Sequence, residues 1–448
     1  MDDVTTRLLG IAERLIDSAK RAGADACDVA VVQSAGRSAS ARLGAIESVD
    51  ASESQDLSLR VFVGRRVASV SADIGPQLEP DRIAERAVAM AKVSPEDPYA
   101  SLADPAFLSR GEEDLDLFDP TELTGEELAE AALAVEAAAL DHPGITNSGG
   151  GSASAGAAGL VLVTSTGFSG ARRRSSFGRS VSVIAGEGVN MQRDYDFDGR
   201  IHYADLEDAE TIGRRAAERT VRRMNPKVLP TGRYEIVFDP RLSRGLVGSL
   251  VGAINGAAIA RKTSFLKDRM GEQILPAALS VTDEPLLPRR PGSRPFDGEG
   301  VRGETLALVE NGVLRNWTLD TATARELGLP ATNGRASRSS SGVSPSSTNV
   351  LLTLGEITPK ELIAEIGRGI YVTELIGHGT NLVTGDYSRG AAGYLIENGE
   401  LTEPVSELTI AGHLAEMLIA LRPANDGDER FSIVAPTLHV GAMTVAGR

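Results

Sequence analysis

Residues 246–260 read "LVGSLVGAINGAAIA", the most apolar run in the chain, and their fate decides what kind of protein this is. The run is only 15 residues long, contains Asn255, and is bracketed by Arg244 and Arg261. A membrane-spanning helix needs about 20 predominantly apolar residues, so the stretch reads as a buried helix covering about 242–261. Gly248, Gly252 and Gly256 recur every four residues, which places them on one helical face where another helix or a sheet can approach closely. Glycine inside a helix costs about 1 kcal/mol relative to alanine, so close packing has to compensate.

The same economy runs through the whole composition. The 448 residues include 48 glycines but only 4% aromatics, with 42% apolar residues overall. A chain of that length exceeds one small core and predicts two or three domains. The 62 acidic and 46 basic side chains leave a formal charge of -16, a field that repels nucleic-acid phosphates and argues against direct nucleic-acid binding. One cysteine, Cys27, excludes an internal disulfide and any cysteine-rich metal site. The start, "MDDVTTRLLG", is acidic where a secretory signal is basic. With no membrane-length run, the expected location is the cytoplasm.

Outward from the central helix, the patterns predict an α+β protein. Residues 5–21 carry Leu8, Leu9, Ala12, Leu15, Ile16 and Ala19 on one helical side. Extended segments follow at 27–34, 39–49, 56–63 and 66–72, with a hairpin at Gly64-Arg65 and a helix over about 80–92. The proline- and acid-rich stretch 94–120 reads as a boundary or a long surface connection. Thr124 and Glu127 form a capping box for a helix over 125–140. Strand-like material at 151–156, 159–166, 169–177 and 180–187 leads to a charged amphipathic helix at 205–223. "NPKVLPTGR" at 225–233 marks the main boundary, after which "YEIVFDP" opens a β-rich half. "VENGVL" (309–314) and "IENGEL" (396–401) each place Asn-Gly between extended runs, a strong hairpin signal. The expected organisation is an N-terminal α/β region at 1–110, a strand-rich extension at 111–225, and a C-terminal domain at 226–448. That last domain is expected to have a large, mostly antiparallel sheet or barrel-like core with packed helices.

Chemistry-bearing motifs are scarce. The five histidines, His142, His202, His378, His413 and His439, include no HExxH pair. In "YVTELIGHGTNLVTGDYSRGAAG" (371–393), Glu374 and His378 share a face only if the segment is helical. Its β-branched residues and glycines favour instead a strand entering a tight bend, with Asp386 and Ser388 bonding local amides. "DYDFDG" (194–199) has calcium-loop spacing, but no entering helix precedes it and Asp205 stands where a bidentate Glu belongs. It reads as a solvent-facing acidic edge. The arginines of "ARRRSSFGR" (171–179) could contact nucleic acid, mask a sheet edge or meet an acidic partner. Neither a GxSxG elbow nor a phosphate-binding GxxxxGK[ST] loop is present.

Taken in order, several segments resemble the TldD/PmbA family, and specifically its PmbA (TldE) branch. They are "TNSGGGSAS" (146–154), "RDYDFDGR" (193–200), "LVGAINGAAIARKTSFLKDRMGEQILP" (250–276), "PFDGEGV" (295–301), "LVTGDYSRGAAGYLIENGELTEPVSELTIAG" (382–412) and "PTLHVGAMTVAG" (436–447). The resemblance implies a two-chain metallopeptidase in which the TldD-like subunit holds zinc through HExxxH and a later cysteine. In register, those motif positions fall here on Val247, Gly248 and Gly252, on a helix expected to face a cavity, and "RPAND" (422–426) supplies no cysteine. The implied role is the metal-free, non-catalytic partner, with no cofactor of its own and with peptides or unfolded segments as substrate. Chamber-lining candidates under that resemblance are Asn333 and Arg335 in "TNGRASRSSSG" (332–342), with His378, Asn381, Asp386, Tyr387 and Arg389 in "GHGTNLVTGDYSRG" (377–390). The alternatives are a stand-alone peptidase with an unconventional metal site, such as His378 and Asp386 with a remote histidine, and a non-enzymatic scaffold.

Overall fold

The computed structural model describes residues 3–111, 113–339 and 342–447. The N-terminal half is built from α1 (Asp3–Ala22), β1 (Ala26–Arg42), β2 (Ala45–Val63), β3 (Arg66–Asp73) and α2 (Pro80–Val93). It continues with α3 (Gly125–Leu140), β4 (Ile145–Thr164), β5 (Ser169–Ala185), β6 (Gln192–Arg200) and α4 (Ala209–Arg222). The six strands form one antiparallel sheet in the order β3-β2-β1-β4-β5-β6.

Strand alternation puts odd-numbered residues of β1 on one face, and two helix pairs divide that face between them. At one end Val29, Val31, Leu57 and Leu59 meet Leu15 of α1 and Val88 of α2. At the other end Ala39, Ala41 and Ala153 meet Leu128 and Ala132 of α3, while Val181 and Val183 meet Ile212 and Ala216 of α4. Small residues set the spacing. A Cβ on Gly213 would lie 2.7 Å from the Ala138 Cβ, so α3 and α4 approach almost backbone to backbone. The capping box is present, with Glu127 N bonded to Thr124 Oγ1 at 3.2 Å and Thr124 N to Glu127 Oε2 at 2.7 Å.

Three expectations for this half need correction. The expected segment 39–49 is split by a turn at Leu43-Gly44, because Leu43 adopts φ +52° and Gly44 φ +76°. The four short strands expected over 151–187 are two long ones, β4 and β5. The stretch 94–120 is not merely surface connection: Leu115 and Leu117 are buried, and Ser109 N donates to Gly300 O at 2.8 Å.

The C-terminal half starts with β7 (Gly232–Phe238), α5 (Pro240–Ala253) and α6 (Gly256–Ala260), then β8 (Val281–Asp283), β9 (Leu306–Glu310) and β10 (Val313–Leu314). Next come α7 (Thr321–Glu326), β11 (Ala336–Ser339), β12 (Gly342–Pro345), β13 (Val350–Leu352), α8 (Pro359–Ala364), β14 (Arg368–Ile376), β15 (Asp386–Glu397) and β16 (Glu400–His413). It ends with α9 (Leu414–Ile419), β17 (Arg422–Pro423), β18 (Ile433–Val434) and β19 (Leu438–Ala446). Strands β16-β15-β14-β7-β19 form a sheet that closes on itself where β16 pairs with β19. Only the β7–β14 contact in this ring is parallel. Closure removes the exposed edges that an open sheet would leave. This is the α+β architecture and barrel-like core expected from the sequence. Both Asn-Gly hairpins form, with Asn311, Gly312, Asn398 and Gly399 all at positive φ. The expected strand at 313–319 stops at Leu314.

No helix among the described residues is long and apolar enough to cross a membrane. Residues 246–260 are buried or half-buried, but not as one helix. Asn255 breaks it, accepting from Ala257 N at 3.0 Å to cap α6, and donating from Nδ2 to Pro345 O at 2.8 Å.

Candidate functional site

Helix α5 begins where Asp239 accepts from Arg241 N at 2.9 Å, with Pro240 in the first turn. Its Leu246, Val247, Leu250 and Ala253 enter the barrel core. Val247 is 1% exposed, so the helix does not present it to a cavity as expected. The other face, at four-residue spacing, carries Arg244, Gly248 and Gly252, each half-buried. Phe431 lies under the Arg244 guanidinium at 3.3 Å. A Cβ on Gly248 would stand 3.5 Å from Ile433 Cδ1, and one on Gly252 would stand 3.0 Å from Leu382 Cδ1. Valine and glycine offer no side-chain nitrogen, oxygen or sulfur, and apolar groups occupy the adjoining space. These positions do not fit a zinc ion.

The 422–426 segment is spent elsewhere. Arg422 pairs with Glu365, and Asp426 accepts from Thr437 N and Oγ1, both at 2.8 Å. Among the described residues, no three His, Cys, Asp or Glu side chains are grouped as ligands of one ion. His413 has its tautomer set by its surroundings: Nε2 donates to Thr384 O at 2.9 Å while Nδ1 accepts from Ala415 N at 3.2 Å. His439 Nε2 meets Glu235 Oε2 at 2.7 Å, and His202 Nε2 meets Asp116 O at 2.9 Å.

The 377–390 bend leaves β14 and rests on α5 through Leu382, whose carbonyl accepts from Phe265 N at 2.9 Å. Glu374 and His378 are not a helical pair; Glu374 is in β14 and pairs with Arg223, whereas His378 is exposed. Asn381 is a turn residue, with Oδ1 accepting from Val383 N at 2.9 Å. Asp386 accepts from Thr384 Oγ1 at 2.6 Å. These three side chains share one exposed bend. Tyr387 points inward against Phe238 and is 4% exposed; burial pushes its hydroxyl pKa up to about 12, against the pull of Arg389. Arg389 is half-buried and donates to Leu375 O at 3.4 Å.

The 332–342 loop behaves differently. Asn333 accepts from Leu319 N at 2.9 Å and donates to Trp317 O at 2.8 Å. Arg335 is fully buried, with Nε 3.2 Å from Asp283 Oδ2 and Nη2 donating to the Asp283 and Glu304 carbonyls. Both hold the loop base rather than facing a groove. Ser340 and Ser341 lie outside the described residues. Hairpin β11–β12 instead adjoins the start of α6, through the Asn255–Pro345 bond.

The acidic strand β6 overturns its expected exposure. Asp194, Asp196 and Asp198 are buried. Asp196 takes Arg215 and Arg219, each at 2.7 Å. Asp198 takes Arg200 at 2.9 Å and Arg430 at 3.1 Å. Their spacing of two, which suggested calcium, is the strand period facing a row of arginines. Three arginines of 171–179 likewise meet protein carbonyls, Arg172 donating to Phe296 O at 3.2 Å, Arg174 to Pro291 O and Arg179 to Glu207 O at 2.8 Å, while Arg173 lies over the Phe118 ring.

Family models for the first, central and C-terminal domains of PmbA/TldA metallopeptidases match residues 27–91, 118–224 and 231–447. The chain is 36% identical over 427 residues to Metalloprotease PmbA of Escherichia coli O157:H7, covering 95% of this chain and 93% of that protein. The chain belongs to the TldD/PmbA family. Its fold superposes with a TM-score of 0.90, at 29% identity, on a Bacteroides thetaiotaomicron protein described as a candidate modulator of DNA gyrase, covering 98% of each chain. TldE from Thermococcus kodakarensis shares the fold with a TM-score of 0.85 at 23% identity, covering 97% of this chain and 99% of that one. Among TldD/PmbA proteins, a metalloprotease name therefore accompanies a close relative of a chain whose α5 carries no metal-ligating side chain at Val247, Gly248 or Gly252.

Proposed function

We propose that this TldD/PmbA protein is the metal-free, non-catalytic subunit of a cytoplasmic two-chain zinc metallopeptidase that processes peptides and unfolded segments. The observation carrying the reading is that α5 offers no metal-ligating side chain at Val247, Gly248 or Gly252. Gly248 cannot take a proton from water, and Ile433 and Leu382 lie against the face it shares with Gly252. A TldD-like subunit supplies the zinc. This chain closes the shared chamber and supports an extended substrate, whose backbone can pair with a strand and so give weak sequence preference. The 377–390 bend, resting on α5 and carrying exposed His378 and Asn381, is the contact offered to that chamber.

Mixing with the TldD-like chain of the same genome tests this. Peptide cleavage is expected only with both chains, with zinc stoichiometric in the partner and absent from this one by elemental analysis. Full cleavage by the zinc chain alone removes the supporting role. Zinc held by this chain alone and lost with His378→Ala would establish the stand-alone peptidase instead.

A further inference from the structure

Between α4, the start of α5 and the β15–β16 hairpin lies a cleft of about 530 Å³, within the range of small-molecule sites. Several of its polar groups are left over from the ion pairs around it. Strand β14 bulges here: Val372 pairs with Gly393 and Glu374 with Ala392, leaving Thr373 as the extra residue. Bulges re-aim side chains. Thr373 lines the cleft, and its Oγ1 is buried without a hydrogen-bond partner among the described residues. A buried hydroxyl left unpaired is destabilising, a cost that a ligand would remove.

The charges are uneven in the same way. Asp194 and Asp239, both on the wall, are already committed to Arg241. The Arg222 guanidinium lies 4.5 Å over the Tyr394 ring, and no carboxylate of the described residues pairs with it. Lys360, in the first turn of α8, is likewise exposed and unpaired among the described residues. Glu400, at the start of β16, lines the cleft with no cation partner among them, and Ile363 and Leu401 add apolar wall. A dianionic phosphate would meet three carboxylates here. A ligand carrying one carboxylate and one ammonium on a short chain matches the uncommitted groups: Arg222 and Lys360 for the carboxylate, Glu400 for the ammonium, with Ile363 and Leu401 beside the chain.

We propose that this cleft binds a short free peptide by its two ends, with Arg222, Lys360 and Thr373 Oγ1 taking the carboxylate and Glu400 the ammonium. The site is separate from the α5 face discussed above: at 1.5 Å rise per residue, Arg241 stands about 10 Å along the helix from Gly248. The proposal therefore does not rest on the subunit reading.

Isothermal titration of the full chain tests it with four probes: trialanine, its C-terminal amide, its N-acetyl form and inorganic phosphate. Trialanine is expected to saturate with a Kd of about 0.1–1 mM. Amidation is expected to weaken binding about tenfold, as loss of a charge-assisted hydrogen bond does. Arg222→Gln should weaken trialanine about tenfold while leaving the amide unchanged, and Thr373→Val should weaken trialanine severalfold. Glu400→Gln should affect trialanine more than its N-acetyl form. Both Arg222 and Glu400 are exposed, so these substitutions leave folding intact. The proposal is overturned if trialanine shows no saturable binding at about 10 mM, if acid and amide bind alike, if Arg222→Gln changes nothing, or if phosphate binds as tightly as trialanine.

Discussion

Arg241, in the first turn of α5, places its Nη1 2.9 Å from Asp194 Oδ1 on β6, with the two side chains 14% and 4% exposed. Asp194 also takes Arg223 at 3.4 Å, so one buried carboxylate joins β6, α4 and α5. The two halves of the molecule are thus registered by charge as well as by apolar contact.

Removing that carboxylate takes one partner from each arginine, leaving Arg241 with Asp239 and Arg223 with Glu374. Asp194→Ala is expected to destabilise the chain by about 2–3 kcal/mol, as losing hydrogen bonds between buried charged groups does. Asp205, 43% exposed and 3.3 Å from Arg289, is the control, and Asp205→Asn should cost about 1 kcal/mol or less. Urea unfolding monitored by circular dichroism measures both; equal costs would refute the assignment of Asp194 as a junction.

These ion pairs also show where sequence reading stops. Thr124 with Glu127, and Asn311-Gly312 and Asn398-Gly399, act through residues next to them in the chain, so their structures were legible. The asparates of β6 look exposed locally because Arg215, Arg219, Arg241 and Arg430 come from elsewhere in the fold. Arg335 sits in a stretch of polar residues, yet its partner Asp283 lies on a strand far back in the chain. Closure of the barrel through β16 and β19 is similarly non-local. In the candidate site, the missing donors at Val247, Gly248 and Gly252 were readable once the family register was applied. Their apolar covers, Ile433 and Leu382, and the orphaned Thr373 hydroxyl required the fold.

The bend on α5 depends on one missing methyl group. A Cβ on Gly379 would fall 1.4 Å from Ser388 O, while Ser388 N donates to Gly379 O at 2.7 Å. Gly379→Ala is expected to cost about 2–4 kcal/mol, or to unfold the bend locally. Loss of hydrogen-exchange protection at Ser388 would report the change. Gly377, at φ +83° with open space around its Cβ position, should cost about 1–2 kcal/mol on substitution by alanine.

Glu299 gives stability a distinctive pH slope. Burial, and then Asp297, raises its pKa from 4.5 to about 7, against Arg60 and Thr321; Asp320 adds to the rise. The folded chain therefore keeps a proton between about pH 4.5 and 7 that the unfolded chain has released. Stability from this group should fall as pH rises through that window, by at most about 3 kcal/mol, and be flat above it. Glu299→Gln keeps an acceptor for Thr321 and should lose this group's part of the slope, leaving only that of Asp297, whose carboxyl burial also pushes up. Parallel unfolding curves for the two proteins across this window would contradict the account.

Cys27 should be chemically silent in the native state. Burial, and then Asp28, pushes its thiol up to about 11, and the side chain is fully buried. Iodoacetamide at pH 8 is expected to leave the folded protein unmodified and to label it after urea unfolding, as mass spectrometry would read. Rapid native labelling would show that β1 opens readily.

Strand β1 lies between β2 and β4, but its two neighbours are made at very different times. During synthesis β2 follows within a few residues, whereas β4 starts only at Ile145. For that interval a long β1 edge stands open beside the ribosome, a template for pairing with other chains. The polar residues across its middle, Gln33, Ser34, Arg37 and Ser38 with Gly36 among them, make that waiting edge a poor aggregation nucleus.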